Sequence, residues 1–294
     1  MEIQLTAITD MGKARGNNED AVAVCSDLET RQWVGEGPCR SDCSRHAIAL
    51  VADGLGGENA GEVASAIVID TFADLQPPTL NTDSAYHEQL SQVIAASDDN
   101  IFAHAQQHPE TRGMGTTVTA CWLHNGRAHV AWCGDSRCYL FSPQHGLRQM
   151  THDHSYVQEL IDQGKITRRK AFHHPDNHII TRGCGDLDCS ADPEFVDFDI
   201  SAGDMIMLCS DGLFGCCYDS EIELTLYRHY GDITACRDAL LHAALDAGAP
   251  DNVSVVVVSV TDDNTTSQHL GLRGLFSYWR KLAIHRLCQL LHVE

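Results

Sequence analysis

The apolar segments of this chain come in blocks, with several strand-like runs together and helix-like runs grouped between them. The first block holds three short runs rich in β-forming residues, QLTAIT, AVAVCS and HAIALVAD. Helices are expected next over residues 59–75, where apolar residues recur at helical spacing, and over residues 84–107. A parallel sheet would need strands and helices in alternation. We therefore expect an α+β fold, a four-layer α-β-β-α sandwich of two mostly antiparallel sheets flanked by helices.

The second half of the chain repeats this grouping. Four strand-like runs follow one another, TTVTACWL, RAHVAWCGD, CYLFS and LRQMT, and HSYVQELIDQGKI predicts a helix that Gly164 ends. Later strands are expected at EFVDFDI, DMIMLCSD and NVSVVVVSVT, with helices at SEIELTLYRHY and ITACRDALLHAALDAG. Two polar segments interrupt the pattern: residues 31–45 predict a loop or hairpin extension, and the basic residues 165–190 a mobile surface segment.

No repeat and no linker appears before residue 262, so one domain is expected over residues 1–261. Residues 262–294 begin with a short polar linker and continue as an amphipathic basic helix, with apolar residues at three- and four-residue steps. This helix could pack back on the acidic body, bind a partner protein or lie on a membrane surface. The opposite charge of the body makes the membrane surface the weakest of these three interpretations.

The charge of the chain is strongly negative, with 41 Asp and Glu against 20 Lys and Arg and a formal net charge of −21. Such a charge repels nucleic acids and anionic membranes, so neither is expected as a partner of the main body. The acidity can serve solubility alone, or some of the carboxylates can be ligands of hard cations. Only the positions of the acidic residues can separate these two interpretations.

The 13 cysteines raise the question of compartment and of a zinc site. The N-terminus has no basic start followed by an apolar run, and no uncharged apolar stretch is long enough to span a membrane. A cytoplasmic location with reduced thiols is expected. The cysteines lack the paired spacing of zinc knuckles, so most are interpreted as small buried apolar residues, with a zinc site as the minor alternative.

Four aspartates stand where a strand-like run meets a turn, in VADGLGG, WCGDSR, LCSDGL and GAPDNVSV. They are Asp53, Asp135, Asp211 and Asp251, and the segment ARGNNED adds a fifth group with Arg15, Glu19 and Asp20. A single Asp-Gly pair is usually an ordinary turn. Several buried carboxylates in one cleft would repel each other unless cations lie between them. The repeated pattern therefore predicts a metal site.

The same segments carry a family resemblance. The ordered strings TDMGKARGNNEDA, VADGLGGENAGEVAS, GMGTTVTA, CGDSRCYLF, THDHSYVQELIDQGKI, CSDGL and APDNVSVVVV resemble the motifs of the metal-dependent type 2C (PPM) serine/threonine protein phosphatases, especially the compact bacterial ones. The resemblance covers about residues 4–260. It implies hydrolysis of phosphoserine and phosphothreonine in proteins by a water or hydroxide that bridges two Mn²⁺ or Mg²⁺ ions.

The resemblance also assigns roles to individual residues. Arg15 would bind the phosphate, which makes Arg15 and Asp53 the catalytic candidates. The implied metal ligands are Asp53, the Gly54 carbonyl, Asp211 and Asp251, with Glu19 and Asp20 acting mostly through waters and Asp135 at a weaker third site. Supporting roles fall to Ser210 and Asn252, which would hold the neighbouring aspartates, and to Thr116 and Thr117, which would start a core strand.

Three positions depart from the family pattern. Leu55 and Glu58 stand near the Asp-Gly turn where relatives often carry a histidine that is a candidate general acid. Gly215 stands where relatives often place an aspartate for the third ion, so two ions are expected. The expected partners are phosphorylated proteins, substrates of a cognate Ser/Thr kinase, with a partner protein at the C-terminal helix as a further option. A catalytically weak phosphatase-like binding module and a nuclease are the alternatives, and the acidic charge disfavours the nuclease.

Overall fold

The computed structural model of the protein describes residues 1–56, 60–185 and 191–262. The predicted linker and C-terminal helix lie outside the described residues, except for the first linker residue. The strands are β1 (Glu2–Asp10), β2 (Asp20–Cys25), β3 (Trp33–Val34), β4 (Gly37–Asp42), β5 (Ala47–Leu55), β6 (Gly115–Thr116), β7 (Val118–His124), β8 (Arg127–Cys133), β9 (Arg137–Ser142), β10 (Gly146–Gln149), β11 (Cys184–Gly185), β12 (Glu194–Asp199), β13 (Met205–Cys209) and β14 (Val253–Thr261). The helices are α1 (Gly61–Phe72), α2 (Asp83–Gln107), α3 (Tyr156–Asp162), α4 (Arg168–Phe172), α5 (Asp211–Phe214), α6 (Asp219–Arg228) and α7 (Ile233–Asp246).

These strands form two antiparallel sheets. The smaller sheet has the order β10-β9-β13-β14-β1-β4, so the first and last strands of the described chain are neighbours at its centre. The larger sheet runs β11-β6-β5-β7-β8-β12, and β2 pairs with β5 beside this path. Antiparallel pairing throughout agrees with the expected α+β class.

Buried side chains show how the layers stack. Along β5, Ala49 and Val51 lie in the core between the two sheets, whereas Ile48 and Leu50 pack against α1 and α2 on the outer face. In the same way, β14 gives alternate valines to the inter-sheet core and to the core beneath α7. A strand buried on both faces reads as a continuous apolar run, which is why both strands were recognisable from sequence. The predicted four-layer sandwich is confirmed.

Two polar segments are more ordered than their composition suggested. The segment 31–45 contains β3, which pairs with β2, and β4, which pairs with β1 at the edge of the smaller sheet, so it is more regular than a loop but does not form a hairpin of its own. Within the segment 165–190, Thr167 caps the short helix α4 by accepting a hydrogen bond from the backbone N–H of Lys170. Gly164 has a φ of 68° just after α3, as expected for a residue that ends a helix.

Candidate metal centre

The ends of β2 and β5 bring the first two carboxylates together. Asp20 and Asp53 face each other in the antiparallel register of these strands. Thr117 fixes the backbone of Asp53, because its N–H donates to the Asp53 carbonyl over 2.9 Å and its hydroxyl accepts from the Asp53 N–H over 3.1 Å. Thr116 donates a second hydrogen bond to the same carbonyl. Both threonines therefore hold the carboxylate-bearing strand end, a contact that the sequence did not predict.

A third carboxylate comes from the junction between β13 and α5. The Ser210 hydroxyl donates to Asp20 over 2.7 Å and accepts from the backbone N–H of Ser254, which ties this junction to β2 and β14. Gly212 lies so close to β14 that a Cβ atom there would stand 1.9 Å from the Asn252 carbonyl oxygen. Only glycine permits this approach, which carries Asp211 towards Asp251.

Asn252 joins the loop after β1 to the start of β14. Its side-chain oxygen accepts from the Glu19 N–H over 2.8 Å, and its amide donates to the carbonyls of Met11 and Asn17. Gly54 donates its N–H to the Glu19 carbonyl, and a Cβ at Gly54 would meet that oxygen at 2.4 Å. These contacts hold Glu19 beside the Asp53–Gly54 turn. The supporting role expected for Asn252 thus extends to Glu19.

Arg15 lies at the rim of the cluster. Its Nη2 donates to Asp251 Oδ2 over 2.6 Å, while 47% of the Arg15 side chain remains exposed. The hydrogen bond that Arg15 donates to Asp251 raises the pKa of Arg15, against the opposing effect of burial. The candidate phosphate-binding residue is therefore paired with a candidate metal ligand, a contact that the sequence did not reveal.

The electrostatics of the cluster are unfavourable without cations. Burial, followed by the charges of neighbouring aspartates, raises the pKa of Asp53 and of Asp211 well above the usual range. Burial raises the pKa of Asp20 to about 6, although Ser210 opposes the shift. Burial also raises the pKa of Glu19, and Glu62 adds to the effect. After burial, the charges of Asp20 and Asp211 contribute most to raising the pKa of Asp53. Without a cation, some of these carboxyl groups must therefore take up protons, which lowers the negative charge of the cluster.

One oxygen in this cluster is an orphan. Asp20 Oδ1 is buried and has no hydrogen-bond partner among the described residues. A buried carboxylate oxygen without a donor is costly, and a hard divalent cation is the ligand that suits it. The donor set of carboxylates and a nearby backbone carbonyl therefore fits Mn²⁺ or Mg²⁺.

Asp135 stands on the far side of Asp211, after β8. Burial raises the pKa of Asp135 to about 7, with the charge of Asp153 as the next cause. Gly215, where relatives often place an aspartate, lies with Asp135 at the cavity described below and provides no carboxylate there. Leu55, near the turn where relatives often carry a histidine, is half-buried. Glu58 lies outside the described residues.

Sequence reasoning missed a buried ion pair next to Asp135. Arg137 Nη2 donates to Asp153 over 2.6 Å, and its guanidinium lies 3.7 Å from the centre of the Phe214 ring. Neither Arg137 nor Asp153 stands at a glycine turn, so the pattern used for the aspartates could not find them. Both occur in segments that carried the family resemblance, CGDSR and THDHS, and that was the available signal.

A cavity of about 740 Å³ extends from Asp135 and Asp211 beneath α4. Phe172, Phe214 and Tyr218 give it an apolar lining, while Arg168 and Arg169 lie at its margin. Phe172 stacks on Tyr218 with ring centres 4.3 Å apart, so α4 is held against the segment before α6. The cavity gives the carboxylate cluster a neighbouring space large enough for a peptide side chain.

Comparison with known proteins decides the family. A sequence model described as protein phosphatase 2C matches residues 6–160. The serine/threonine phosphatase stp of Listeria monocytogenes is 32% identical over 253 residues, which are 85% of this chain and 93% of that protein. The chain belongs to the protein phosphatase 2C family.

Other members of this family are longer or have solved structures. The serine/threonine protein phosphatase PstP of Mycobacterium tuberculosis is 34% identical over 260 residues, 88% of this chain, which therefore spans only 45% of that protein. Serine/threonine phosphatase Stp1 from Staphylococcus aureus superposes with a TM-score of 0.76 at 30% identity, covering 88% of this chain and 95% of that one. The catalytic domain of PstP in complex with 2 manganese ions superposes with a TM-score of 0.72 at 32% identity, covering 89% of this chain and 100% of that one.

Proposed function

We propose that this protein is a metal-dependent serine/threonine protein phosphatase, a phosphoprotein phosphohydrolase that uses two Mn²⁺ or Mg²⁺ ions. The observation that carries the proposal is the cluster of buried and half-buried carboxylates that includes the partnerless Asp20 Oδ1. Two related proteins at over 30% identity carry the words serine/threonine phosphatase in their names, and one of them binds manganese in a solved structure. Family and donor chemistry thus support the same reaction class.

Each carboxylate takes a part in holding the ions. Asp53 faces Asp20 across the strand pair and is influenced by the charges of both Asp20 and Asp211, so we assign it, with the Gly54 carbonyl beside it, the central ligand position. The remaining proposed ligands are Asp211, Asp251, Glu19 and Asp20. When bound, the ions would lower the pKa of a water nucleophile and neutralise charge on the phosphoryl oxygens. We propose two ions, with a third at Asp135 as the weaker option, because Gly215 brings no carboxylate there and Asp153 is paired with Arg137.

Arg15 would bind and orient the substrate phosphate. A guanidinium presents parallel N–H donors that match two phosphate oxygens. Arg15 is half-exposed and already faces the cluster through Asp251, so a short movement of its side chain would exchange the carboxylate for a phosphate. Binding of an ion by Asp251 would weaken its hold on Arg15 and favour this exchange.

The test is turnover of p-nitrophenyl phosphate and of a phosphothreonine peptide. We expect activity with added Mn²⁺ or Mg²⁺ and none with EDTA. Asp53→Ala and Asp211→Ala should each remove nearly all activity with the fold intact, because each deletes an ion ligand. Asp70→Ala, an exposed aspartate on α1, is the matched control and should remain active. Full turnover without metal, or an active Asp53→Ala, would contradict the proposal. Metal binding without turnover would favour the binding-module alternative.

The proposed substrates are proteins that a cognate Ser/Thr kinase has phosphorylated. Basic residues on the segment 165–185 lie at the rim of the cavity, on a chain whose net charge is −21. Such a segment would attract acidic phosphoproteins and admit a side chain next to the phosphorylated residue. A partner of the C-terminal helix stays a prediction, since that helix lies outside the described residues.

The cytoplasm is the proposed compartment. Every cysteine in the described ranges carries a free thiol, which suits a reducing environment. Among the described residues, no helix has the length and apolarity needed to cross a bilayer. The domain boundary at residue 261 likewise stays a prediction, although β14 ends at Thr261.

A further inference from the structure

A second group of metal-ligating side chains lies away from the carboxylates. It consists of His87, His129 and Asp197, which we call the histidine cluster. His87 Nε2 is 2.8 Å from Asp197 Oδ2, and His129 Nδ1 is 2.7 Å from Asp197 Oδ1. One ligand atom from each residue can be chosen so that all three lie within 4.8 Å of one another. None of these three residues belongs to the carboxylate cluster or to the lining of the cavity beside it.

Three different elements meet at this cluster. His129 lies on β8 directly opposite Asp197 on β12, the edge strand of the larger sheet, and His87 projects from the first turns of α2. His129 also pairs with Trp122, which pairs with Ile48, five positions before Asp53 on β5. At 3.3 to 3.4 Å per residue, this places the histidine cluster roughly 17 Å along the sheet from the carboxylates. The two sites are therefore separate.

Packing fixes the orientation of both imidazole rings. The Tyr86 ring stacks on His129 with centres 3.9 Å apart and planes 8° apart, and Phe195 stacks on His87 at 4.6 Å. The side chain of His129 is only 3% exposed and that of Asp197 14%, whereas His87 is 31% exposed. The cluster is thus preorganised on its inner side and open to solvent on the side of His87. An ion could enter there without unfolding.

A second carboxylate, that of Asp83, stands next to the cluster. Asp83 Oδ1 is 3.7 Å from His129 Nδ1, and Arg127 holds Asp83 with two hydrogen bonds of 2.9 and 2.7 Å. Oriented groups of this kind around a ligand set tune metal sites in general. Asp83 could complete the coordination of an ion or accept a hydrogen bond from a water bound to it.

The chemistry of these ligands points to one class of ion. Two imidazole nitrogens and one carboxylate suit a borderline cation such as Zn²⁺, whereas Mg²⁺ and Ca²⁺ prefer oxygen ligands alone. We propose that His87, His129 and Asp197 bind a zinc ion, with water or Asp83 in the fourth position. The ion would connect helix α2 to the edge strand β12 and so stabilise the outer side of the larger sheet.

Binding requires a small rearrangement. Ligand atoms 2.0 to 2.1 Å from a tetrahedral zinc stand about 3.4 Å apart, so the present nitrogen–oxygen distances would have to open by about 0.6 Å. Each ring now donates a hydrogen bond to Asp197 from a protonated nitrogen. With zinc bound at that nitrogen, the proton would be on the other ring nitrogen, so the ring would stay neutral. The half-buried His87 has room for this movement. The hydrogen-bonded arrangement is then the metal-free form of the same site.

The experiment is a zinc titration of the full chain saturated with Mg²⁺, followed by calorimetry and by competition with a chromophoric chelator. We expect one zinc per chain that excess Mg²⁺ does not displace, and a higher melting temperature with zinc. His87→Ala and Asp197→Asn should weaken zinc binding by at least about 100-fold, because loss of a ligand exceeds the loss of an outer-shell partner. Co²⁺ in place of zinc should give visible absorption bands that the same variants lose.

His104→Ala is the matched control. His104 stacks on His108 near the end of α2, an alternative histidine pair on the same helix. The proposal expects this variant to bind zinc as the unchanged protein does, and expects the Mn²⁺-dependent activity of His87→Ala to persist. Unchanged zinc affinity in His87→Ala, loss of zinc in His104→Ala, or displacement of zinc by Mg²⁺ would each overturn the proposal. None of these outcomes depends on whether the protein is a phosphatase.

Discussion

At one end of β5 the carboxylates of Asp20, Asp53 and Asp211 approach one another, whereas near its other end the carboxylate of Asp197 faces two imidazole rings. The first group leaves Asp20 Oδ1 without a donor. In the second, each Asp197 oxygen accepts a hydrogen bond. Buried acidic groups that meet only other acids depend on an ion from outside, while acids that meet histidines are already satisfied. Stability at the carboxylate end should therefore depend on metal far more than at the histidine end.

The largest expected effect comes from Asp53→Asn. We expect activity to fall by about three orders of magnitude or more, because the central ligand is lost. In EDTA, however, the variant should be more stable than the unchanged protein by about 1–2 kcal/mol, since one of the mutually repelling carboxylates is gone. Thermal unfolding in EDTA and in Mn²⁺ measures both states.

The order of stability should reverse in Mn²⁺, which stabilises only a protein that binds it. Asp70→Asn serves as the control, and its stability relative to the unchanged protein should be the same in EDTA and in Mn²⁺. A variant less stable than the unchanged protein in EDTA would show that the carboxylates do not strain the metal-free fold.

Arg15→Ala tests the rim of the same end. Loss of the guanidinium proposed to bind phosphate should lower kcat/KM by roughly 30-fold, about 2 kcal/mol, mainly through KM. Arg15→Lys keeps the charge but not the paired donors and should recover only part of the loss. Steady-state kinetics with a phosphothreonine peptide measures this, and kinetics of Arg15→Ala equal to those of the unchanged protein would assign phosphate binding to another residue.

His46, directly before β5, tests how the stability of the other end of this strand, which we call the histidine end, depends on pH. Burial, and then His124, lowers the pKa of His46 to about 4, and its Nδ1 accepts a hydrogen bond from Trp122. An unfolded histidine titrates near 6.5, so the unfolded chain binds more protons between about pH 6.5 and 4. Stability should fall as pH falls through that window, by about 1 kcal/mol after allowance for solvent screening.

Urea unfolding of His46→Gln at pH 7.5 and 5.0 isolates this contribution, because the titration of other groups cancels in the difference from the unchanged protein. Glutamine can still accept the Trp122 hydrogen bond, yet it does not titrate. The exposed His145→Gln is the control. If His46→Gln loses as much stability at pH 5.0 as the unchanged protein, the histidine end is not sensitive to acid.

The smallest expected effect concerns the basic margin of the cavity. Replacing Arg168, Arg169 and Lys170 by glutamine should slow turnover of an acidic phosphoprotein a few-fold at low salt and leave p-nitrophenyl phosphate nearly unchanged. Charge replacement at Arg228, in the last turn of α6, is a control. Equal effects on both substrates would mean that these residues are an ordinary solvated surface.

Sequence patterns predicted the fold well where burial leaves a clear record. Strands such as β5 and β14 are buried on both faces, so they appear as unbroken apolar runs, and α2 was placed to within a residue. Helix α4 and strand β11 were not foreseen, because they lie in the polar segment 165–190, which resembles a loop, and only tertiary contacts make them regular. The turn glycines likewise identified Asp53, Asp135 and Asp211.

Contacts between distant segments were beyond sequence reasoning. The pairing of Arg15 with Asp251 joins residues far apart in the chain, and no local pattern encodes it. The histidine cluster combines an α2 residue with two residues of a strand pair, His129 and Asp197. Its members are ordinary residues of a helix and two strands until the register of β8 and β12 is known.

The pairing of β1 with β14 has a consequence for synthesis of the protein. Asp20 leaves the ribosome early, yet its partners around Asp251 are made much later, and β1 must wait for β14 to cover its edge. At 5–20 residues per second, the interval between Asp20 and Asp251 lasts about 10–50 s. During that time the nascent chain exposes an unpaired strand edge and cannot assemble the metal centre. Every newly made molecule should thus be unable to assemble this cluster, and prone to associate with others through that edge, until β14 has been made.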